Sequence, residues 1–239
     1  MNIFDLESPL MRALGRVADL IILNLITFFC CIPVITAGAS LTALHYMCLK
    51  MVRDEETYLI RGYFKSFKEN FKQSTLIWLI LLLAFALVAG DIAVMYYAII
   101  EFPFIIRYAV LVMGIVVLCT SMYVFPMQAK FANPIRNTLK NAFKASILQF
   151  PKTLVMIALL FVAPLMILFS EKLLPIVFLF CFSFHAYLSA LMYNKFFRRI
   201  EDSHPVPQAA QQDEGEGEDE RIFHDELDPA LAGDEKFGR

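Results

Sequence analysis

The chain has 239 residues, of which 59% are hydrophobic and only 18% are charged. Ordinary soluble domains carry about 25% charged residues, so the composition excludes that class and predicts an integral membrane protein. The formal net charge of −2 hides an uneven distribution. Residues 1–200 contain 18 basic and 10 acidic side chains, whereas residues 201–239 contain 3 and 13. The sequence therefore predicts a basic membrane domain over residues 1–200, followed by an acidic tail.

Five stretches are long and apolar enough to cross a membrane. A crossing helix needs about 20 mostly apolar residues to pass roughly 30 Å of hydrocarbon. The sequence thus predicts an all-α fold, a polytopic transmembrane helical bundle of about five spans. Only Ser170-Glu171-Lys172 separates the last two stretches, which leaves open a single bent hairpin that does not cross. The predicted spans cover residues 20–46, 75–100, 104–126, 150–170 and 173–194.

The first predicted span contains a helix breaker followed by small residues. Pro33 has no backbone N–H and leaves the carbonyl of Phe29 without its helical partner, so we expect a bend there. Small residues beyond it recur at a spacing of four, which lets two helix backbones approach closely. Packing against a neighbouring span is the preferred interpretation, and a broken helix that forms a substrate site, as in transporters, is the alternative. The residues of this helix break and packing surface are Pro33, Thr36, Gly38, Ala39, Ser40 and Ala43.

Two segments between spans are amphipathic, with an apolar face beside a basic stripe. Phe64, Phe67 and Phe71 recur at helical spacing in the first, and Phe143 and Ile147 do so in the second. Rings in the acyl boundary with ammonium groups on lipid phosphates are typical of a helix lying in the membrane interface. We therefore predict two cytoplasmic interfacial helices that bind anionic lipids, with the wet end of a long membrane helix as the alternative. The predicted lipid-facing basic residues are Arg61, Lys65, Lys68, Lys72, Arg136, Lys140 and Lys144.

The two amphipathic segments also match each other at an offset of 72 residues, and an apolar span follows each of them. This pattern predicts a parallel internal repeat of span, interfacial helix and span, with the fifth span added. The matched residues are Lys68, Phe71, Lys72, Ser74 and Leu76 in the first copy and Lys140, Phe143, Lys144, Ser146 and Leu148 in the second.

Basic residues collect on one side of the predicted spans. The segments after spans 1, 3 and 5 carry 14 of them, whereas the opposite side carries Arg12, Arg16, Arg107 and Lys172. Basic loops stay in the cytoplasm, so this asymmetry predicts an N-terminus outside the cell and a cytoplasmic C-terminus. The polar, acidic tail over residues 201–239 buries too little apolar surface to offset its ordering entropy, and it is predicted to be disordered.

Three ionisable residues fall within or near the predicted spans. Asp91 lies 16 residues after Thr75, about 24 Å along a helix, where a carboxylate is costly and tends to be paired or functional. Arg107 is the nearest partner in sequence, and His185 in the fifth span is a second. A proton- or cation-sensitive intramembrane site is the functional interpretation of these three residues. A structural ion pair, or a carboxylate at the outer interface, is the preferred one.

The sequence contains none of the usual catalytic or nucleotide-binding motifs. Its five cysteines lie in or at the ends of apolar runs without metal-ligand spacing, and its four histidines are far apart. We therefore expect no enzymatic activity, no cofactor, no bound metal and no nucleic-acid partner.

Three stretches resemble a known family. They are Pro33–Ala39, Lys50–Glu56 and Phe64–Gln73, the last leading to Trp78. On these stretches the chain resembles the YesL-type family of bacterial integral membrane proteins, a domain of unknown function, and the resemblance covers about residues 1–200. It implies a bacterial cell membrane protein with an accessory role in carbohydrate uptake or sensing, and a transporter or sensor subunit as its partner.

Three functions of different classes remain. A non-enzymatic accessory or regulatory component of carbohydrate uptake or sensing is the preferred hypothesis, because few polar groups lie within the spans. A small-solute transporter or channel, alone or as an oligomer, is the first alternative. A membrane scaffold or lipid-binding protein is the second, and the paired basic segments support it.

Overall fold

The computed structural model describes residues 9–55, 58–97, 103–131, 133–170, 172 and 174–203. These residues form helices throughout, which confirms the predicted all-α fold. The chain divides into two units, residues 1–195 and 196–239, and only residues 196–203 of the second unit are described. Most of the acidic tail lies outside the described residues, so its disorder stays a prediction. The helices are α1 (Pro9–Cys31), a 3-10 turn (Val34–Thr36), α2 (Ala37–Arg53), α3 (Leu59–Tyr96), α4 (Phe104–Lys130), α5 (Ile135–Leu148), α6 (Phe150–Phe169) and α7 (Leu174–Ser203).

Five of the described helices, α1, α3, α4, α6 and α7, are long and apolar enough to cross a membrane. The chain is therefore a multi-pass membrane protein. α6 and α7 are two antiparallel helices of 20 and 30 residues, each of sufficient length to cross. Lys152 Nζ donates a hydrogen bond to the carbonyl of Met192 (3.0 Å), and His185 Nε2 lies 3.2 Å from the carbonyl of Met156.

The first predicted span, residues 20–46, does not form one helix. α1 ends two residues before Pro33 and α2 begins four residues after it, so the expected bend is a complete break. A proline cannot donate the helical hydrogen bond and clashes with the preceding turn. The hydroxyl of Thr36 helps to close the turn, because it donates to the carbonyls of Cys30 (2.5 Å) and Pro33 (2.8 Å).

α1 and α2 run antiparallel as a helical hairpin. An ion pair joins Arg16, in the first half of α1, to Asp54 at the C-cap of α2. Nearer the turn, the hydroxyl of Ser40 donates to the carbonyl of Thr27 (3.2 Å). The start of α1 therefore lies on the side of the structure where α2 ends and α3 begins. We call this side the basic end, because Arg53 and Arg61 flank that connection.

The first amphipathic segment is not a separate interfacial helix. α3 runs without a break for 38 residues, so the segment is the N-terminal extension of a membrane helix. This is the alternative given above, the wet end of a long membrane helix. The second segment is a helix of its own, α5, which ends just before Pro151 in the first turn of α6. At the corresponding repeat position, 72 residues earlier, α3 has Leu79. Leucine keeps the helical hydrogen bond that proline cannot make, and the helix continues.

α2 is the most enclosed helix of the first unit. It packs chiefly against α3 and also against α4 and α1. Of its 17 residues, 11 are buried, including the small residues Gly38, Ala39, Ser40 and Ala43. Their small side chains allow α3 to lie close against this face.

Candidate functional site

A cluster of buried hydroxyl groups joins the first three helices. The hydroxyl of Tyr63 on α3 lies 2.6 Å from Ser40 Oγ on α2. Thr27 Oγ1 on α1 donates a hydrogen bond to the same Tyr63 hydroxyl over 3.3 Å. All three side chains are buried. A buried polar group without a partner costs about 1–3 kcal/mol, so these contacts favour one register of the three helices. We call Thr27, Ser40 and Tyr63 the hydroxyl cluster.

Close to this cluster, α2 and α3 almost touch at Gly38. A Cβ atom on Gly38 would lie 2.5 Å from Trp78 Cβ and even closer to the carbonyl oxygen of Ser74. The hydroxyl of Thr42 donates to Ser74 Oγ (2.9 Å). Trp78 Nε1 donates to the carbonyl of Val34 (2.7 Å), which lies in the turn between α1 and α2. The tryptophan therefore holds that turn against α3.

α7 is tied to the hairpin by amide and guanidinium side chains. Asn24 on α1 donates to the carbonyl of Phe178 (2.8 Å) and accepts from the amide of Phe182 (2.9 Å). These two backbone groups are four residues apart, so one side-chain amide contacts both partners of a single helical hydrogen bond. Near the basic end, Arg53 Nε donates to Asn194 Oδ1 (2.9 Å). α7 is thereby bound to both helices of the hairpin.

A second polar layer joins α3, α4 and α5. Gln128 Nε2 on α4 donates to Asn70 Oδ1 on α3 (3.2 Å), and the hydroxyl of Thr138 on α5 donates to Gln128 Oε1 (3.3 Å). Gln73 Nε2 donates to the carbonyl of Asn133, just before α5 (2.5 Å). These contacts, like those of the hydroxyl cluster, pair polar side chains of neighbouring helices with one another.

The predicted polar site is not assembled in the described part of the chain. Asp91 and Arg107 have exposed side chains on the neighbouring helices α3 and α4. Neither forms an ion pair or hydrogen bond with the other or with His185 among the described residues. His185 is half-buried on α7 and contacts the carbonyl of Met156 on α6. Whether Asp91 has a functional role stays a prediction.

All seven predicted lipid-facing basic residues have exposed side chains. On α5, Phe143 and Ile147 are also exposed beside the lysines, a mixture that suits the membrane interface. On the α3 extension, Phe67 and Phe71 are only half-buried, whereas Tyr63 packs inward. The extension is thus held by its inward face as well as by its basic stripe.

An apolar groove of about 600 Å³ opens between α1, α6 and α7. Twelve of the 15 residues that line it are apolar, and the other three are Arg16, His185 and Tyr187. Arg16 Nη1 lies 3.4 Å from the hydroxyl of Tyr187, and its Nη2 contacts Asp54. We call this feature the lateral groove.

Sequence reasoning missed the hydroxyl cluster and the groove. One signal was present: Ser66, Asn70 and Ser74 recur every four residues on α3, which predicts a polar face distinct from the phenylalanines and lysines. No local pattern connects Thr27 with Tyr63, which are 36 residues apart. Their pairing follows from the reversal at Pro33 and from packing on α3.

Comparison with known proteins identifies the central part of this arrangement. Residues 20–92 match the family described as "Protein of unknown function, DUF624". The matched segment contains the hydroxyl cluster, the Gly38 contact and the whole of α2. No curated protein and no solved structure matches the chain. The match confirms the resemblance to the YesL-type proteins over residues 20–92.

Proposed function

We propose that this chain is a non-enzymatic membrane protein that acts by binding another membrane component, as an accessory or regulatory subunit of carbohydrate uptake or sensing. The observation that carries the proposal is that polar side chains buried on α2 pair with polar groups of α1 and α3. Tyr63, Ser40 and Thr27 hydrogen-bond to one another there, and a Cβ on Gly38 has no space. A transport pathway needs polar groups that line an opening. Here the polar groups are used to join helices. The link with carbohydrate rests on the YesL-type resemblance.

The proposal predicts a specific contact with a transporter or sensor subunit. A photo-crosslinking residue at Glu69, exposed at the basic end, or at Leu83, exposed on the apolar part of α3, should capture one such subunit in intact cells. The same residue at buried Ile77 is the matched control and should capture none. Loss of the chain should reduce uptake of the sugar that this subunit carries. Capture of unrelated abundant proteins from Glu69 and Leu83 alike, with unchanged sugar uptake, would contradict the proposal.

A transporter is the alternative, and Asp91 distinguishes it. Purified chain in sealed vesicles should accumulate no sugar by itself under the accessory proposal. Asp91→Asn should then retain the wild-type effect on uptake in cells, because the side chain of Asp91 is exposed and is not part of the hydroxyl cluster. Sugar accumulation by the chain alone, abolished by Asp91→Asn in a protein of normal abundance, would select the transporter.

The same geometry supports a revised orientation in a cell membrane. The original expectation of an external N-terminus assumed one crossing between the N-terminus and Asp54. The hairpin instead places Arg16 beside Asp54. Arg12 and Arg16 then fall on the side that the sequence assigns to the 14 basic residues, and Arg107 and Lys172 are assigned to the opposite side. With α2 returning to the side on which α1 starts, the hairpin makes no net crossing, so a cytoplasmic basic end would make the start of α1 cytoplasmic as well. This orientation fits the preference of Lys and Arg for the cytoplasmic side better than an external N-terminus does.

A further inference from the structure

The lateral groove has the dimensions of a site for one lipid chain. Its volume of about 600 Å³ lies within the range of roughly 300–1,000 Å³ that is typical of small-molecule sites. Along α7 it extends from Val177 to Leu188, about 17 Å at the helical rise of 1.5 Å per residue. One leaflet of a bilayer provides about 15 Å of hydrocarbon, half of the usual 30 Å. The groove therefore matches the length of an acyl chain within one leaflet.

The polar residues of the groove lie toward one end. Tyr187 and His185 are near the Leu188 end of the α7 wall, and Arg16 contacts Tyr187 from α1. The contact of Arg16 with Asp54 places this end toward the basic end of the structure. An amphiphile could therefore place its apolar chain between the apolar walls and its polar head near Arg16, at the basic end.

Arg16 can bind an anionic head while it keeps its present contacts. Its side chain is 45% exposed. The guanidinium group has five N–H donors, and the contacts with Asp54 and Tyr187 leave further donors for phosphate oxygens. Arginine is well suited to phosphate because its planar donors match the spacing of the oxygens.

We propose that the lateral groove binds an anionic phospholipid, with one acyl chain between α1, α6 and α7 and the phosphate at Arg16. The groove lies between helices that are long and apolar enough to cross a membrane, where acyl chains are available. The charged group at one end of the apolar walls favours a phospholipid over an apolar helix of another protein. This site does not depend on the proposed transporter partner.

The test uses two tryptophan substitutions on the same helix. Ala163 lines the groove, whereas Ala158 is exposed on α6 and does not line it. The full-length protein is placed in phosphatidylcholine vesicles containing a phosphatidylglycerol probe with a photoreactive group on its acyl chain. Ala163→Trp should reduce labelling of groove peptides about tenfold, because the ring overfills the space that the chain occupies. Ala158→Trp should label as the wild type does.

A second variant tests the head group and covers the case in which Ala163→Trp does not fold. Arg16→Gln should lower the preference for the phosphatidylglycerol probe over a phosphatidylcholine probe about fivefold, since one cationic contact is lost. Val162→Trp, at a half-exposed lining position, should block the chain as Ala163→Trp does. Equal labelling in all variants would mean annular lipid only and would overturn the proposal. Native mass spectrometry gives a second test. The proposal would also be overturned if the wild type carried a second copy of the chain, and no phospholipid, that the groove variants lack.

Discussion

At the scale of single residues, the closest approach of two helices depends on Gly38. Its neighbours across the contact are backbone and Cβ atoms of Ser74 and Trp78, which cannot move without moving α3. The residue lies in an ordinary helical conformation, so glycine is needed for space and not for an unusual backbone angle. The small-residue pattern of the sequence indicated such a contact but not which helix would fill it.

We predict that Gly38→Ala lowers the free energy of unfolding by about 1–3 kcal/mol or more, because overpacking here pushes on backbone atoms. Gly15→Ala is the matched control. Gly15 is an exposed residue of α1, and nothing lies within 4 Å of a Cβ placed on it. This change should therefore leave the free energy of unfolding unchanged or raise it by about 0.5–1 kcal/mol. Thermal unfolding in a mild detergent measures both. Equal stability of the two variants would show that the α2–α3 contact is looser than described.

At the scale of elements, the two copies of the amphipathic pattern form different structures. α3 carries its basic segment as a continuous extension, whereas α5 is separated from α6 at Pro151. The inward face of the α3 extension includes Gly62, Tyr63 and Ser66, all buried. Packing of that face, together with continuity of the helix, holds the extension in place.

We therefore predict that replacing Lys65, Lys68 and Lys72 together with Gln leaves the α3 extension in position. Each lysine near anionic lipid contributes about 1 kcal/mol to membrane binding, but the packed face does not depend on it. The rate at which a water-soluble maleimide modifies Phe67→Cys should be unchanged by the triple substitution. Cysteine at exposed Tyr58 and at buried Ile77 gives the fast and slow references. A rate that rises to the Tyr58 value would indicate a lipid-held interfacial segment instead.

At the scale of the whole molecule, the reversal of the chain at Pro33 changes the orientation proposed for α1 in the membrane. With α1 and α2 antiparallel, the chain enters α1 on the same side on which it leaves α2. Every later helix keeps the direction expected from the basic residues. Under the proposed orientation, the start of α1 alone changes sides, and the basic residues are segregated more completely.

We predict that green fluorescent protein fused to either terminus of the full chain will fluoresce, since it does so only in the cytoplasm. A periplasmic or cell-surface reporter at the same positions should be inactive. Fluorescence of the C-terminal fusion alone would instead support an N-terminus outside the cell. A reporter inserted after Glu101, between α3 and α4, is the control for the outer side.

The sequence alone determined the helical membrane class, the later spans and the helix break near Pro33. These follow from local hydropathy and from backbone chemistry, which act over a few residues. Only the tertiary structure decided that the break is a reversal, because Trp78, Ser40 and Arg16 bind partners between 13 and 44 residues away. It also decided that Asp91 and Arg107 form no ion pair within the described residues. The lateral groove arises in the same way, since tertiary contacts such as that of Asn24 with Phe178, 154 residues apart, bring α1 to α7.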